Sequence, residues 1–394
     1  MLTREDDSVR CVLLVTHYFA EQGGGIERVA AQLARHLETD GKTRVTWAAS
    51  DTRPLVESLE CAAQCVAMCA WDGIQRATGA PFPIWSPSAL VKLWRLVGEA
   101  SLLHLHDCLY MGNFFAFVFA KLRRRPVVVT QHVSHVPFKN PVLKVALWVA
   151  YQSAGRLVLG VADQVVFISE EVCQDFAKRF SFRRPPLFIP NGVDTTLFAP
   201  VEADERADLR EALFGEWSGS MVFLFVGRFV EKKGLSVLRR IATALPDSLF
   251  VMLGQGPIDP GAWGLDNVRV IGALDQPALV RYYQSADLLV LPSVGEGLPL
   301  VVQEALSAGL PVAVSSRTAR ADSSVTAYLH HQPCTDELGE DEVVERWTKL
   351  LREQKMVESQ RAEHCVELGD IARSHWSWEV SASRYREVFN ETLS

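Results

Sequence analysis

Residues 286–316, ADLLVLPSVGEGLPLVVQEALSAGLPVAVSS, decide the fold. Leu288 to Leu291 is an aliphatic run with no polar alternation, the pattern of a strand in a parallel sheet covered on both faces. Pro292 to Gly297 breaks the run. From Pro299 the apolar positions crowd one side, and Gly309 followed by Pro311 supplies a stop, which predicts a helix. Pro311 to Val314 resumes as strand. A strand, loop, helix and strand in succession is the unit of a doubly wound sheet, in which ligands bind beyond the carboxyl ends of the strands. Glu296 falls in the loop, and Glu304 falls more than one turn into the helix with Leu300, Val301, Ala305 and Ala308 as helical neighbours. A carboxylate on so apolar a face needs a partner, because burying it unpaired is costly. Two acceptors at this spacing, just past a buried strand, suit a polyhydroxy ligand such as a sugar or a ribose.

The same alternation runs outward in both directions. Toward the N-terminus, CVLLVTHYF opens with a strand at Val12 to Val15 and feeds a glycine-rich turn and an amphipathic helix, and RVTWAAS, SLLHLHD, PVVVTQH and QVVFIS follow as short strands. VFLFVGRF, LFVMLG, VRVIGA, LLVLPS and PVAVS repeat the pattern in the second half. A chain of 394 residues exceeds what one core supports, so two domains are expected. They are placed at residues 1–200 and 218–375, each a Rossmann-like α/β unit, facing a central cleft. FIPNGVDTTLFAPVEADERADLREALFGEWSGS reads as the linker, an Asn-Gly turn followed by acidic residues of little periodicity. The tail carries Trp378, Ala382, Tyr385 and Phe389 on one helical stripe, so a helix over 376–394 is expected to return to the first domain.

Charge and composition exclude several classes. The net charge of -7 gives no nucleic-acid signal. Residues 1–200 carry 21 Lys and Arg against 18 Asp and Glu, and residues 121–184 carry 11 against 4. Arg123, Arg124, Arg125, Lys139 and Lys144 are interleaved there with Phe138, Val145 and Trp148. That is a candidate surface for anionic lipid or a lipid diphosphate, at about 1 kcal/mol per basic side chain near a membrane; an ordinary solvated basic face is the alternative. Apolar runs such as NFFAFVFA are far shorter than the roughly 20 residues a membrane span needs, and MLTREDDSVR lacks the apolar core of an export signal. A cytoplasmic protein is expected, peripheral at the inner membrane face if the basic surface binds lipid, with its eight cysteines reduced. Cys61, Cys65 and Cys69 share a helical stripe and read as small buried thiols.

Other residues complete a candidate site. Arg228 and Lys233, in LFVGRFVEKKG, sit between a buried strand and a helix, where two cations beside free N–H groups suit a diphosphate. Gly24 and Gly25 lie where backbone can approach a ligand closely. Arg28 occupies the place of the last glycine of a dinucleotide fingerprint, and GQGPID fails the same test, so NAD is weakly supported. His132 ends a strand, where it could bond a sugar hydroxyl or help a leaving group; His135 competes with it. No Asp-x-Asp pair and no His/Cys ligand cluster of useful spacing is present, so no cofactor and no metal are expected.

GGGIERV, the strand-ending TQH, IPNGVDTTLFAP, VGRFVEKKG and GEGLPLVVQEALSAGLPV resemble, in order, the successive motifs of glycosyltransferase family 4, the retaining GT-B enzymes. The resemblance implies that the second domain holds a nucleoside diphosphate sugar. Arg228 and Lys233 would contact the diphosphate, Glu296 with the backbone of Gly297 and Leu298 the donor sugar, and Glu304 the ribose. Gly24 and Gly25 would approach the donor from the first domain, and His132 would lie by the transferred sugar. The acceptor would be a hydroxyl, for instance on a lipid-linked saccharide. After PVAVSS the chain departs from the family: RTARADSSVTAYLHH carries neither the usual glycine nor the downstream glutamate. A sugar phosphorylase, a nucleotide-sugar epimerase and a silent glycan- or membrane-binding protein are the competing readings.

Overall fold

In the computed structural model, residues 9–20, 25–52, 63–73, 83–132, 145, 148–294, 296–354 and 358–394 are described. The chain divides into two compact units, Met1–Gly192 with Trp378–Ser394, and Val193–Ser377.

The first unit is built on seven parallel strands. They are β1 (Arg10–Val15), β2 (Thr43–Ser50), β3 (Gln64–Met68), β6 (Leu102–His106), β7 (Val127–Gln131), β8 (Gln164–Phe167) and β9 (Leu187–Phe188). Between β3 and β6 lies a small antiparallel pair, β4 (Ala70–Trp71) and β5 (Ile84–Trp85). The sheet order is β3-β2-β1-β6-β7-β8-β9, so the chain winds outward from β1 in one direction and from β6 in the other. Alternate residues of β6 have separate duties: Leu103 and Leu105 join the core with Leu13 and Phe167, while His104 and His106 take the opposite face. That face is closed by the helix Trp378–Leu393, whose Trp378, Ala382, Tyr385 and Phe389 are all buried. Its attachment is specific, since Tyr385 and Thr130 of β7 share a hydrogen bond of 2.9 Å.

In the second unit six parallel strands follow: β10 (Met221–Val226), β11 (Ser248–Leu253), β12 (Val268–Ile271), β13 (Leu288–Leu291), β14 (Val312–Ser315) and β15 (Leu329–Gln332). Their order is β12-β11-β10-β13-β14-β15, which makes the β10/β13 pair the point where the winding reverses. β13 has no exposed residue, as its unbroken aliphatic sequence requires, and packs with Phe223, Phe225 and Val302 in one core.

Two expectations are corrected. Residues 203–214 form a helix of the second unit rather than linker. Arg206 and Arg210 of that helix are each 9% exposed and grip Asp287 at 2.7 and 3.1 Å, while Asp287 also accepts the N–H of Val222 at 2.7 Å. Residues 64–68, with Cys65, are strand β3 and not a cysteine-striped helix; Val66 and Met68 face the core and Cys69 is exposed. Cys61 lies outside the described residues.

Candidate active site

The second sheet concentrates its chemistry beyond the carboxyl ends of β10 and β13, where the connections leave in opposite directions and open a crevice. The loop after β10 runs through Gly227, Arg228 and a short turn at Glu231–Lys233 into the helix Leu235–Ala244. The loop after β13 runs from Pro292 to the helix Leu300–Ser307, which begins at Pro299. The N–H of Val294 donates to Lys232 O at 2.7 Å and ties the two loops together. Gly234 makes this possible. Its φ is +75°, and a Cβ there would stand 2.4 Å from Pro292 O, so neither the backbone angle nor the space admits a side chain.

Lys233 and Glu296 face each other across this junction. Lys233 Nζ is 2.7 Å from both carboxylate oxygens, and the side chains are 13% and 12% exposed. Lys232, more exposed, adds a weaker contact at 3.9 Å. Arg228 is exposed and has no ion pair or side-chain hydrogen bond among the described residues, so its guanidinium is available to an anion. Glu304 accepts the hydroxyl of Tyr283 at 2.8 Å. Burial, and then the charge of Glu304, drives that phenol well above its usual range, which keeps it a donor to the carboxylate.

The third neighbouring loop explains GQGPID. Gly254, with φ +142°, lies against Gly227 O, which a Cβ would meet at 1.9 Å. Its glycine is there for close packing of two strand-end loops, consistent with the failed dinucleotide test.

In the first unit the corresponding switch point lies between β1 and β6. His132 follows β7 and is partly exposed; its Nε2 is 2.8 Å from Nδ1 of buried His106, and its N–H donates to Asp107 Oδ1 at 3.0 Å. His104 bonds Thr130 Oγ1 at 2.8 Å. Burial pulls His104 and His132 down to about 3 and His106 well below the usual range, so all three rings are neutral. His17 stacks on Tyr110 with centroids 4.1 Å apart. Glu27, in the first turn of the helix Gly25–Leu37, is 6% exposed, and burial raises its pKa. Gly25 opens that helix and is exposed; Gly24 lies outside the described residues, as do Lys139, Lys144, Phe138 and His135.

Chains of two parallel α/β units have counterparts among known proteins. A family model described as Glycosyltransferase Family 4 matches residues 23–197, and one described as Glycosyl transferases group 1 matches residues 220–343. Together the two models place residues 23–197 and 220–343 among the glycosyltransferases. The chain is 33% identical over 146 residues to the UDP-Gal:alpha-D-GlcNAc-diphosphoundecaprenol alpha-1,3-galactosyltransferase of Escherichia coli, covering 32% of the chain and 36% of that protein. It is 25% identical over 404 residues to the phosphatidyl-myo-inositol mannosyltransferase of Mycobacterium leprae, covering 97% and 96%. The chain spans 36% and 39% of the length of the first two curated relatives it matches. HepE from Anabaena, solved with UDP, superposes with a TM-score of 0.72 at 17% identity, covering 97% of this chain and 100% of that one. The fold is GT-B.

Within this candidate site, the structure brings Lys233 and Glu296 into contact and leaves the Arg228 side chain open on the same loop as Lys233. Glu304 stands in the helix that follows, held by Tyr283. Leu298 is buried and Gly297 partly exposed in the loop that leads to that helix. Residues 317–331, where the sequence departs from the family, lie in the helix Ser316–Ala319, the segment after it and β15, anchored by Asp322, which accepts the Trp376 indole N–H at 2.9 Å. Sequence reasoning missed Tyr283, His106, Tyr110 and Glu27. For His106 a signal existed: LHLH places two histidines on one face of an otherwise aliphatic strand, a buried polar stripe that requires partners.

Proposed function

We propose that the protein transfers a hexose from a nucleoside diphosphate sugar, UDP- or GDP-linked, to an acceptor hydroxyl, with retention of anomeric configuration. The observation that carries this reading is the strand-end junction where Lys233 is clasped by Glu296 beside Arg228, which has no acidic partner among the described residues. An ammonium has three donors, so Lys233 can keep Glu296 and still reach a phosphate oxygen. Arg228 supplies a fork suited to the same group. As the bond from the anomeric carbon to the diphosphate breaks, negative charge grows on the departing oxygen, and these fixed cations stabilise it more than they stabilise the intact donor. The acceptor oxygen bonds to the anomeric carbon on the face the diphosphate leaves, and its proton passes to the diphosphate. Glu296, with the backbone of Gly297 and Leu298, orients the donor sugar; Glu304 receives the ribose hydroxyls; Gly24 and Gly25 approach the donor; His132 bonds the transferred sugar. No metal is assigned to the reaction, because Arg228 and Lys233 meet the charge that a divalent ion would otherwise meet.

The UDP and UDP-glucose complexes of HepE support a nucleotide-sugar donor. The names of the Escherichia coli and Mycobacterium leprae relatives support a lipid-linked acceptor. So does the exposure of Val145, Trp148, Val149 and Leu157 on one stretch of the first unit. No helix among the described residues is long and apolar enough to cross a membrane, so contact with a cytoplasmic membrane surface would be peripheral. Part of the basic stretch is structural: Lys121 and Arg183 pair with Asp163, and Arg123 lies 4.1 Å over the Trp94 ring.

The deciding experiment follows labelled UDP- and GDP-sugars with lipid-linked and soluble acceptors, with and without a chelator, in the natural protein and in Arg228→Ala, Lys233→Ala and Glu296→Ala. Transfer that survives the chelator and collapses in the variants is expected. A product that forms only with orthophosphate, an isomerised donor without acceptor, or donor binding without product would each replace the proposal.

A further inference from the structure

The three histidines at the switch point of the first unit differ in how their nitrogens are satisfied. His106 offers Nδ1 to His132 Nε2 at 2.8 Å, while its Nε2 is buried with no partner among the described residues. His104 offers Nε2 to Thr130 Oγ1, and its Nδ1 is likewise buried and unpartnered among them. In a contact between two neutral imidazoles, one nitrogen carries the hydrogen and the other must be bare. There are two ways to arrange this. If His132 Nε2 donates, the only hydrogen on His106 sits on Nε2, a buried N–H with no acceptor. If His106 Nδ1 donates, the orphan on His106 is a bare nitrogen instead. Orphaned buried N–H groups are the rarer defect, so the second arrangement is favoured.

We propose that His106 is the positioning residue for His132: its Nδ1–H donates to His132 Nε2 and holds His132 in the tautomer whose Nδ1–H is presented as a hydrogen-bond donor to a substrate oxygen. The inference rests on His132 contacting substrate, as assigned above. It adds that His132 acts as a neutral donor and not as a base. Two further contacts fix the geometry. The rings of His106 and His132 are nearly coplanar, with centroids 5.0 Å apart and planes 16° apart, the geometry of an in-plane bond between ring nitrogens, and Asp107 Oδ1 holds the His132 main chain. Asp107 itself adopts φ +69°, a left-handed angle that few non-glycine residues take, and its backbone carbonyl accepts from the Asn113 amide at 2.8 Å. The strained residue is thus braced where it sets the position of His132.

The test is a tautomer measurement on the full-length protein labelled with nitrogen-15 in histidine, His132 being assigned by comparison with His132→Gln. Long-range proton–nitrogen correlations at neutral pH are expected to show His132 and His106 each protonated on Nδ1. His132 protonated on Nε2 would overturn the proposal, whatever the activity of the sample. In His106→Met, the His132 signals should redistribute between tautomers and kcat should fall at least about tenfold with donor KM little changed. In His106→Gln, whose amide can still donate, both should recover in part. If His106→Met does not fold, the natural protein's spectrum decides alone. If no preparation transfers sugar, the functional reading fails while the tautomer assignment stands or falls on its own spectrum.

Discussion

Lys233 Nζ lies 2.7 Å from both carboxylate oxygens of Glu296, joining the loop that follows β10 to the loop that follows β13. Both side chains are largely buried, so each neutralises a charge the other could not leave in place. Removing one partner strands the other, at a cost of about 3 kcal/mol. Lys233→Met and Glu296→Gln are each expected to lower the denaturant midpoint, and the double variant is expected to regain most of that loss, since neither charge is then unpaired. Donor binding should not return with it. Nucleotide titration of the three variants separates the roles: a double variant that binds and turns over normally would reduce the pair to scaffolding.

Arg228 gives the opposite pattern. It is exposed and its side chain makes no hydrogen bond or ion pair among the described residues, so Arg228→Ala should change stability by less than about 0.5 kcal/mol. A charge-assisted bond to a phosphate contributes roughly 1.5 to 3 kcal/mol, so affinity for UDP or GDP should fall about 10- to 100-fold. Arg228→Lys should restore only part of it, because an ammonium lacks the two-pronged geometry. Calorimetric titration with the nucleotide reads this directly, and unchanged affinity would remove Arg228 from the site.

The contrast between these residues shows what was legible in the sequence. The strand at Leu288–Leu291 could be read to the residue because both its faces are buried and nothing polar interrupts it. β15, LHHQ, could not: it is an edge strand with two histidines and only Leu329 buried. The helix Ala203–Phe214 was hidden because its inward face carries Arg206 and Arg210, whose burial depends on an aspartate more than seventy residues away. The cysteine stripe misled for a geometrical reason. A spacing of four residues is close to one helical turn, and it is also two full repeats of a strand, so it places side chains on one face of either element. At the site, the charges and glycines of the two loops were visible, but the partners that orient them were not. Tyr283 beside Glu304 and His106 beside His132 are brought in by the sheet and not by sequence spacing.

Gly234 offers a test of how the loops are held. With φ +75° and Pro292 O at 2.4 Å from the place of a Cβ, Gly234→Ala meets both a backbone penalty and a backbone collision. The first alone costs about 1 to 3 kcal/mol. Gly41, at φ +65° with nothing within 4 Å, provides the control in which only the first term acts. Gly234→Ala should therefore lower Tm more than Gly41→Ala, and it alone should weaken nucleotide binding, because relief of the collision moves Lys233. Equal Tm shifts and intact binding in both variants would show that the junction is not sterically fixed.

The histidine cluster predicts how the first unit responds to acid. Burial holds His104 and His132 at about 3 and His106 well below the ordinary value, whereas in the unfolded chain each titrates near 6.5. Below that pH the unfolded state takes up protons that the folded state refuses, so stability is complete above about 6.5 and falls as the pH drops toward 3. Each histidine contributes about 1.4 kcal/mol per pH unit once its unfolded form is charged. The groups around the cluster do not offset this: Thr130, Tyr385 and Phe389 meet His104, and the Asp107 carboxylate oxygen nearest His132 is engaged with its main chain. Amide exchange in β6 and β7, followed from pH 7 to 5, should report the loss. His104→Gln, which can still bond Thr130, should reduce the slope by about 1.4 kcal/mol per pH unit. If the slope does not change, His104 must be free to take up a proton in the folded protein, and the burial that makes these rings neutral would not operate.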